Sequence, residues 1–298
     1  MEMQQLRYFA KAAELGNFSR AAEACFVSQP SLSQQIIKLE QELGQPLFER
    51  LGRKVRLTDA GVLLKERVDQ VLALLDDAKA RITDDPDSGK LALSAIPSIA
   101  PYCLPGVLEA FRREAPQVQL EVSEDVTQTA LRRLSAGEID LAILALPIQG
   151  ANLHIEPLFS EELLLVMPAG HALAQRPRVT LNDLQDEPFV LLNDAHCLTH
   201  NTLSFCQQKQ FQPLVTSRIS QLTTLQELVA LGQGVSLIPQ MAQRLDHSPA
   251  RVYRSLSGER PTRTIALVWH KYRFQSCVFR RFVKWLREYC ASAHSKRK

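Results

Sequence analysis

The stretch AAEACFVSQPSLSQQIIKLEQELGQPLFER, residues 21–50, decides the fold of the N-terminal part of this chain. Ser28 is a good N-cap, and Pro30 falls in a first turn, where its missing N–H costs little. Leu32, Ile36, Leu39 and Leu43 then form a 4-3-4 apolar stripe, which predicts a helix after Ser28. Gln29, Pro30, Ser31, Ser33, Gln34 and Lys38 lie off that stripe. The polar members of this set are types that hydrogen-bond base edges or phosphates in a DNA major groove. Upstream, Leu6, Phe9, Ala10 and Ala13 predict a first helix over Met3 to Leu15, broken by Gly16 and Asn17. Ser19 is expected to cap a second helix over Arg20 to Cys25, where Ala21 and Ala22 leave room for a close crossing. Downstream, residues 46–58 read as a short hairpin with Arg50, Arg53, Lys54 and Arg56 at its tip, suited to the phosphate backbone. The basic cluster alone is equally well a charged turn. Three short helices followed at once by a basic hairpin form a far more specific pattern.

The pattern AAxxCxVSQPSLSQQIxKLEQELGxPLFER, followed by RxVxLTxAG, resembles the winged helix-turn-helix of LysR-type transcription regulators, with little interruption from Leu6 to Gly61. The resemblance implies a DNA-binding domain over residues 1–58 and double-stranded DNA as partner. It further implies that Ser31, Ser33, Gln34 and Lys38 reach the major groove and that the Arg53 to Arg56 region meets the minor groove or backbone. From Thr58, a suitable N-cap, one helical pattern covers residues 59–83, with Leu64, Val68, Val71, Leu75, Ala78 and Ile82 spaced 4-3-4-3-4. Such a stripe needs a partner surface. That surface is either a second copy, which would also supply two half-sites on DNA, or the chain's own sensor domain. The resemblance favours a homodimer and implies assembly into a homotetramer. Residues 84–90 read as a hinge linker.

The 298 residues are enough for about two domains, and 45% hydrophobic with 22% charged residues describe a globular chain able to bury a core. A formal net charge of +3 is too mild to identify a nucleic-acid partner by itself. No uninterrupted apolar run approaches ~18 residues and the start lacks a secretory pattern, so a cytoplasmic protein without a membrane partner is expected. No Gly-rich phosphate loop, Gly-x-Ser-x-Gly elbow or carboxylate cluster is evident, so neither catalysis nor a cofactor is expected.

Beyond Gly89, strand-like stretches alternate with helical ones, which predicts βαβαβ order and a parallel sheet. A second such lobe is expected to start near Glu161, and the chain to return to the first near Arg263. Lobe I would then hold residues 91–160 and 263–298, and lobe II residues 161–262. In LysR-type regulators this region is similar to periplasmic solute-binding proteins, with an effector held between the lobes. The fold class expected for the whole is an all-α winged helix-turn-helix domain plus an α/β two-lobed, periplasmic-binding-protein-like sensor domain. Ser98 and Thr127, at strand exits, are expected to face the cleft, although hydroxyls there also serve as helix caps.

Residues 192–206, LNDAHCLTHNTLSFC, carry two of the six cysteines, Cys197 and Cys206. On one helix, nine residues separate their Cα atoms by ~13.5 Å and half a turn, whereas a disulfide needs less than ~7 Å. A bond between them must therefore unwind the helix, which makes oxidation a conformational switch. A reacting thiol needs help to ionise, which His196 and Arg263 could supply as neighbours. The expected chemistry is attack of Cys197 on hydrogen peroxide, with Thr127 hydrogen-bonding the oxidant and Cys206 closing the disulfide. Other readings fit the same residues. The cysteines could be incidental in a regulator switched by a small metabolite, or His196 and His200, at i and i+4, could hold a metal beside a cysteine.

The pattern HCLxxxxxxFC, with IPSIAPYCLP upstream and PTRTIALVW downstream, resembles the OxyR-type, peroxide-sensing branch of the LysR family. The resemblance makes Cys197 the peroxidatic cysteine, Cys206 the resolving one, and Thr127, His196 and Arg263 the polar pocket. Ser98 stands where that branch has threonine. Thr199 and His200 depart from the Arg-Asp pair expected after Cys-Leu, which puts the reaction rate or its reversibility in question.

Overall fold

Asn17, rather than Ser19, starts the second helix: its side chain accepts from the Arg20 N–H at 3.0 Å, and Ser19 lies within the first turn. A computed structural model describes residues 1–51, 54–82, 88–150 and 152–295. Arg53 lies outside these, and the side chains of Arg50 and Ile82 are likewise outside the description. The chain comprises two compact units, one built essentially on residues 1–83 and the other on the remainder.

The N-terminal unit comprises α1 (Met3–Leu15), α2 (Phe18–Ala24), α3 (Gln29–Leu43), β1 (Phe48–Leu51), β2 (Lys54–Leu57) and α4 (Asp59–Ile82). Ser28 caps α3, accepting from the Ser31 N–H at 3.3 Å. Leu32, Ile36 and Leu39 are completely buried, with Phe9, Ala12, Ala21 and Leu47 around them. The Glu40 carboxylate accepts the N–H groups of Leu47 (2.7 Å) and Phe48 (3.2 Å), which fixes the start of the hairpin against α3. Gly16, at φ +59°, ends α1, and its carbonyl takes the Val55 N–H, so the hairpin is held at its other strand as well. Gln29, Pro30, Ser31, Gln34 and Lys38 are exposed, Ser33 is half-buried, and Arg56 is exposed on β2.

The stripe on α4 divides in a way its spacing did not anticipate. Val68 is 2% exposed and, with Leu64 and Leu72, packs into the unit's own core. Val71 and Ala78 are exposed, Leu75 is half-buried, and Leu63 and Leu74 add large exposed side chains. Leu63 and Leu74, eleven residues apart, share one helical face about a third of a turn from the Leu64–Val68 line. The seam expected through Leu64 and Val68 is thus filled from within the unit.

The second unit begins β3 (Gly89–Ala95), α5 (Ala100–Glu114), β4 (Val118–Glu124), α6 (Thr127–Ala136), β5 (Leu141–Ala145) and β6 (Leu153–Pro168). It continues through β7 (Pro188–Leu192), α7 (Cys197–Gln208), β8 (Leu214–Ile219), α8 (Leu222–Ala230), β9 (Ser236–Pro239), α9 (Gln240–Gln243) and β10 (Arg251–Arg254). It closes with β11 (Thr262–His270) and α10 (Cys277–Ser295). The main sheet runs β10-β6-β11-β5-β3-β4, with β9 also on β6. β3 pairs with β4 and β5 in parallel, as βαβ connections require, but β11 enters antiparallel between β5 and β6, so the sheet is mixed rather than parallel. β7 and β8 form a separate parallel pair.

Two strands carry the chain between two hydrophobic cores. The outer half of β6 pairs with β11, whereas Leu163–Val166 pair with β9 and Leu165–Pro168 with β10. One core draws on residues 91–145 and 265–290, the other on residues 163–256. Among the described residues no helix is long and apolar enough to cross a membrane.

Candidate functional site

Helix α7 is the element that puts both cysteines in place. His196 precedes it in extended conformation (φ −92°, ψ 126°), and Cys197 is its first residue, where backbone N–H groups have no partners within the helix. Thr199, buried, donates its hydroxyl to the Leu192 carbonyl at 2.8 Å and so ties the first turn of α7 to the end of β7. Asn201 donates from Nδ2 to the Leu146 carbonyl at 2.8 Å, a bond to the segment leaving β5. The Thr199 that replaces an expected arginine is therefore an interior anchor.

The two thiols face different cores. Cys197 packs against the first core and retains partial exposure; Cys206 is completely buried in the second. Both are free thiols on one regular helix, so the ~13.5 Å rise over nine residues applies to them.

Arg263, where β11 begins, is 2% exposed. Its guanidinium pairs with Glu161, with Nε at 2.9 Å and Nη2 at 2.8 Å from the same carboxylate oxygen. It also donates to the Ser98 hydroxyl at 2.7 Å and the Ser98 carbonyl at 2.9 Å. Ser98 is 2% exposed, so it does not present its hydroxyl to a cleft; it holds the arginine. Glu161 is a site residue that sequence reasoning missed. Its other oxygen accepts the Met241 N–H at 3.0 Å, so one carboxylate joins β6, β11 and the start of α9. The available signal was the arginine itself, because a buried guanidinium needs an anionic partner.

Burial raises the Cys197 thiol above its ordinary range. The Arg263 charge, the Thr127 hydroxyl and the N–H groups of Cys197 and Leu198 act in the opposite direction without cancelling that effect. Thr127 Oγ1, at the start of α6, is itself buried and has no nitrogen or oxygen hydrogen-bond partner among the described residues. Burial likewise holds His196 below the usual imidazole range, despite the opposing Ser220 backbone and Glu124. The fixed positive charge acting on the thiol is that of Arg263, as expected from its place at the returning strand, and Glu161 shares that charge. Burial also pushes Cys206 up to about 11.

The structure thus brings Cys197, Thr127 and Arg263 together, places Ser98 behind Arg263, and seats His196 at the helix entrance. His196 lies outside the helix and His200 is exposed, so the i, i+4 relation needed for a shared metal face is not realised. Among the described residues no group of three or more metal-binding side chains assembles.

A winged helix-turn-helix and a two-lobed α/β unit with a helix bridging its cores define a DNA-binding regulator with an effector-responsive domain. Residues 3–62 match the model for the bacterial regulatory helix-turn-helix protein of the lysR family, and residues 84–291 match the LysR substrate binding domain. The chain belongs to the LysR family of bacterial transcription regulators, a family of regulators and not of enzymes. Within that family it is similar to the hydrogen peroxide-inducible genes activator of Dickeya chrysanthemi, 38% identical over 273 residues that cover 90% of this chain and 89% of the relative. It is 37% identical over 276 residues to the DNA-binding transcriptional dual regulator OxyR of Escherichia coli K12, covering 90% of this chain and 89% of that one. Among solved structures, a full-length OxyR variant of Pseudomonas aeruginosa superposes with a TM-score of 0.77 at 32% identity, covering 97% of this chain and 94% of the other. A peroxide-bound cysteine mutant of Corynebacterium glutamicum OxyR gives 0.61 at 31% identity, covering 98% and 96%.

Proposed function

We propose that this chain is a peroxide-responsive transcription activator in which oxidation of Cys197 remodels α7 and so changes how the assembled protein engages DNA. The observation that carries this reading is the placement of the two thiols on opposite faces of one helix, each in a different core. Names of relatives as hydrogen peroxide-inducible activators, and a structural neighbour with hydrogen peroxide bound, support peroxide as effector.

In the reaction, the Cys197 thiolate attacks one oxygen of hydrogen peroxide. An S–O bond forms, the O–O bond breaks, and hydroxide leaves as water once it takes the proton released from the thiol. Thr127 Oγ1 donates to that oxygen and Arg263 offsets the charge on sulfur and oxygen, a reading supported by the action of both groups on the Cys197 thiol. The Cys206 thiol then displaces water from the sulfenic acid. An S–S bond forms and the S–O bond breaks, two electrons having passed from the thiol pair to peroxide. A dithiol reductant resets the pair by exchange. Because the intact helix keeps the sulfurs apart, the second step requires the turns around Thr199 and Asn201 to give up their bonds to Leu192 and Leu146.

In the same reading, residues 1–58 form the DNA-binding domain, residues 59–83 the dimer helix, and residues 91–298 the sensor. Gln29, Pro30, Ser31, Ser33, Gln34 and Lys38 face the major groove, with Arg50, Arg53 and Arg56 on the flanking backbone. Assembly is a homodimer that pairs into a homotetramer, the exposed Leu63–Leu74 face of α4 serving as a contact between copies.

Cys197→Ser, tested on a promoter footprinted with the reduced protein, should lose peroxide-dependent transcription while still binding DNA. Mass mapping of oxidised wild type should find a Cys197–Cys206 link. An unchanged peroxide response in the variant would reject the mechanism.

A further inference from the structure

The turn between α2 and α3 holds a residue that stability alone disfavours. α2 ends with the Val27 N–H donating to the Ala22 carbonyl (3.0 Å) and the Phe26 N–H to the Glu23 carbonyl (3.1 Å). In this wrap the residue after the C-cap takes left-handed backbone, and glycine is the usual choice. Here that residue is Phe26, at φ +56°, where a Cβ crowds the neighbouring carbonyl. Its ring gains no packing in return. Phe26 is 95% exposed, the most exposed of the described large apolar side chains, whereas Cys25 and Val27 on either side pack against the unit's core.

The position gives this arrangement a meaning. Phe26 stands two residues before Ser28, the cap of α3, and the exposed run Gln29, Pro30 and Ser31 follows directly. The ring therefore extends the exposed surface at the leading end of α3. That end of a recognition helix is the part that meets base edges. Among groups in the major groove the thymine C5-methyl is the apolar one, and it takes apolar side chains, phenylalanine included. Backbone strain of this kind, kept where it serves no packing, marks a site at which the side chain's direction matters more than stability.

We propose that Phe26 reads DNA, packing its ring on a thymine methyl group at the edge of the site contacted by α3. This rests on the assignment of α3 as recognition helix.

The test compares full-length wild type with Phe26→Gly on promoter DNA defined by footprinting the wild type. Glycine relieves the left-handed strain and removes the ring. The expected result is a thermal midpoint unchanged or raised, with DNA affinity lowered about tenfold. The dependence of log affinity on log salt should keep its slope, because no phosphate contact is lost. Replacing single thymines by uracil should reveal a position at which wild type loses affinity and Phe26→Gly does not. Equal affinities of the two proteins would overturn the proposal, as would a variant that loses folding stability together with binding. Loss of affinity with no uracil-sensitive thymine would place the ring on a sugar and overturn thymine reading. A change in assembly mass without DNA would assign the ring to a second copy and also overturn it. Failure of the α3 assignment is separately visible, since Gln34→Ala would then leave site discrimination unchanged while wild type still binds.

Discussion

If a disulfide between Cys197 and Cys206 requires α7 to unwind, changing the helix alone should change the redox equilibrium without touching either sulfur. His200 is the place to do it: it lies between the cysteines and is exposed. Its side chain has one weak contact, Nε2 to the Ser204 hydroxyl at 3.5 Å, which both replacements below remove equally. Alanine and glycine at an exposed helical position differ by about 1 kcal/mol in helix stability. That difference weighs on the reduced, helical state and is absent once the segment has unwound. For a two-electron couple 30 mV corresponds to ~1.4 kcal/mol, so the His200→Gly disulfide should have a midpoint potential about 20 mV below that of His200→Ala. Where unwinding limits closure, the sulfenic acid should also be resolved about fivefold faster in the glycine variant. The assay is equilibration of both variants in graded glutathione buffers, acid trapping, and mass quantification of the Cys197–Cys206 link. Coincident potentials, or a glycine variant that is easier to reduce, would refute the argument that the helix must give way.

Other consequences can be read in parallel. Because burial raises Cys206 to about 11 from an ordinary 9.0, the protonated thiol stabilises the folded reduced protein fully below pH 9, and that contribution is lost as pH rises to 11. Urea titrations should show roughly 2–3 kcal/mol more loss across that window in wild type than in Cys206→Ala. Val68→Ala should lower the stability of the N-terminal unit by about 1–2 kcal/mol, because it empties part of a core. Leu74→Glu, on the exposed face of α4, should leave folding intact and shift assembly toward monomer in sedimentation experiments. Gln34→Ala should reduce discrimination between binding sites, whereas Arg56→Ala should weaken binding to all of them and reduce the salt slope by about one, as fluorescence anisotropy at several ionic strengths would show.

What the sequence by itself determined was local. Ser28, Pro30 and the stripe through Leu32, Ile36 and Leu39 specify α3 because caps and periodicity act over a few residues. The nine-residue interval between the cysteines likewise places them half a turn apart once both lie on α7. Tertiary structure decided matters that depend on groups far apart in the chain. Arg263 finds Glu161 and Ser98 across more than a hundred residues, which makes Ser98 a support for the arginine and leaves Glu161 invisible to any motif. Where the sequence suggested help for Cys197 from its neighbours, burial raises the thiol and lowers the His196 ring, because the loss of solvation is a property of the surrounding volume. The stripe on α4 could not say which of its two apolar faces the N-terminal unit would claim, since spacing gives a face but not the surface that meets it.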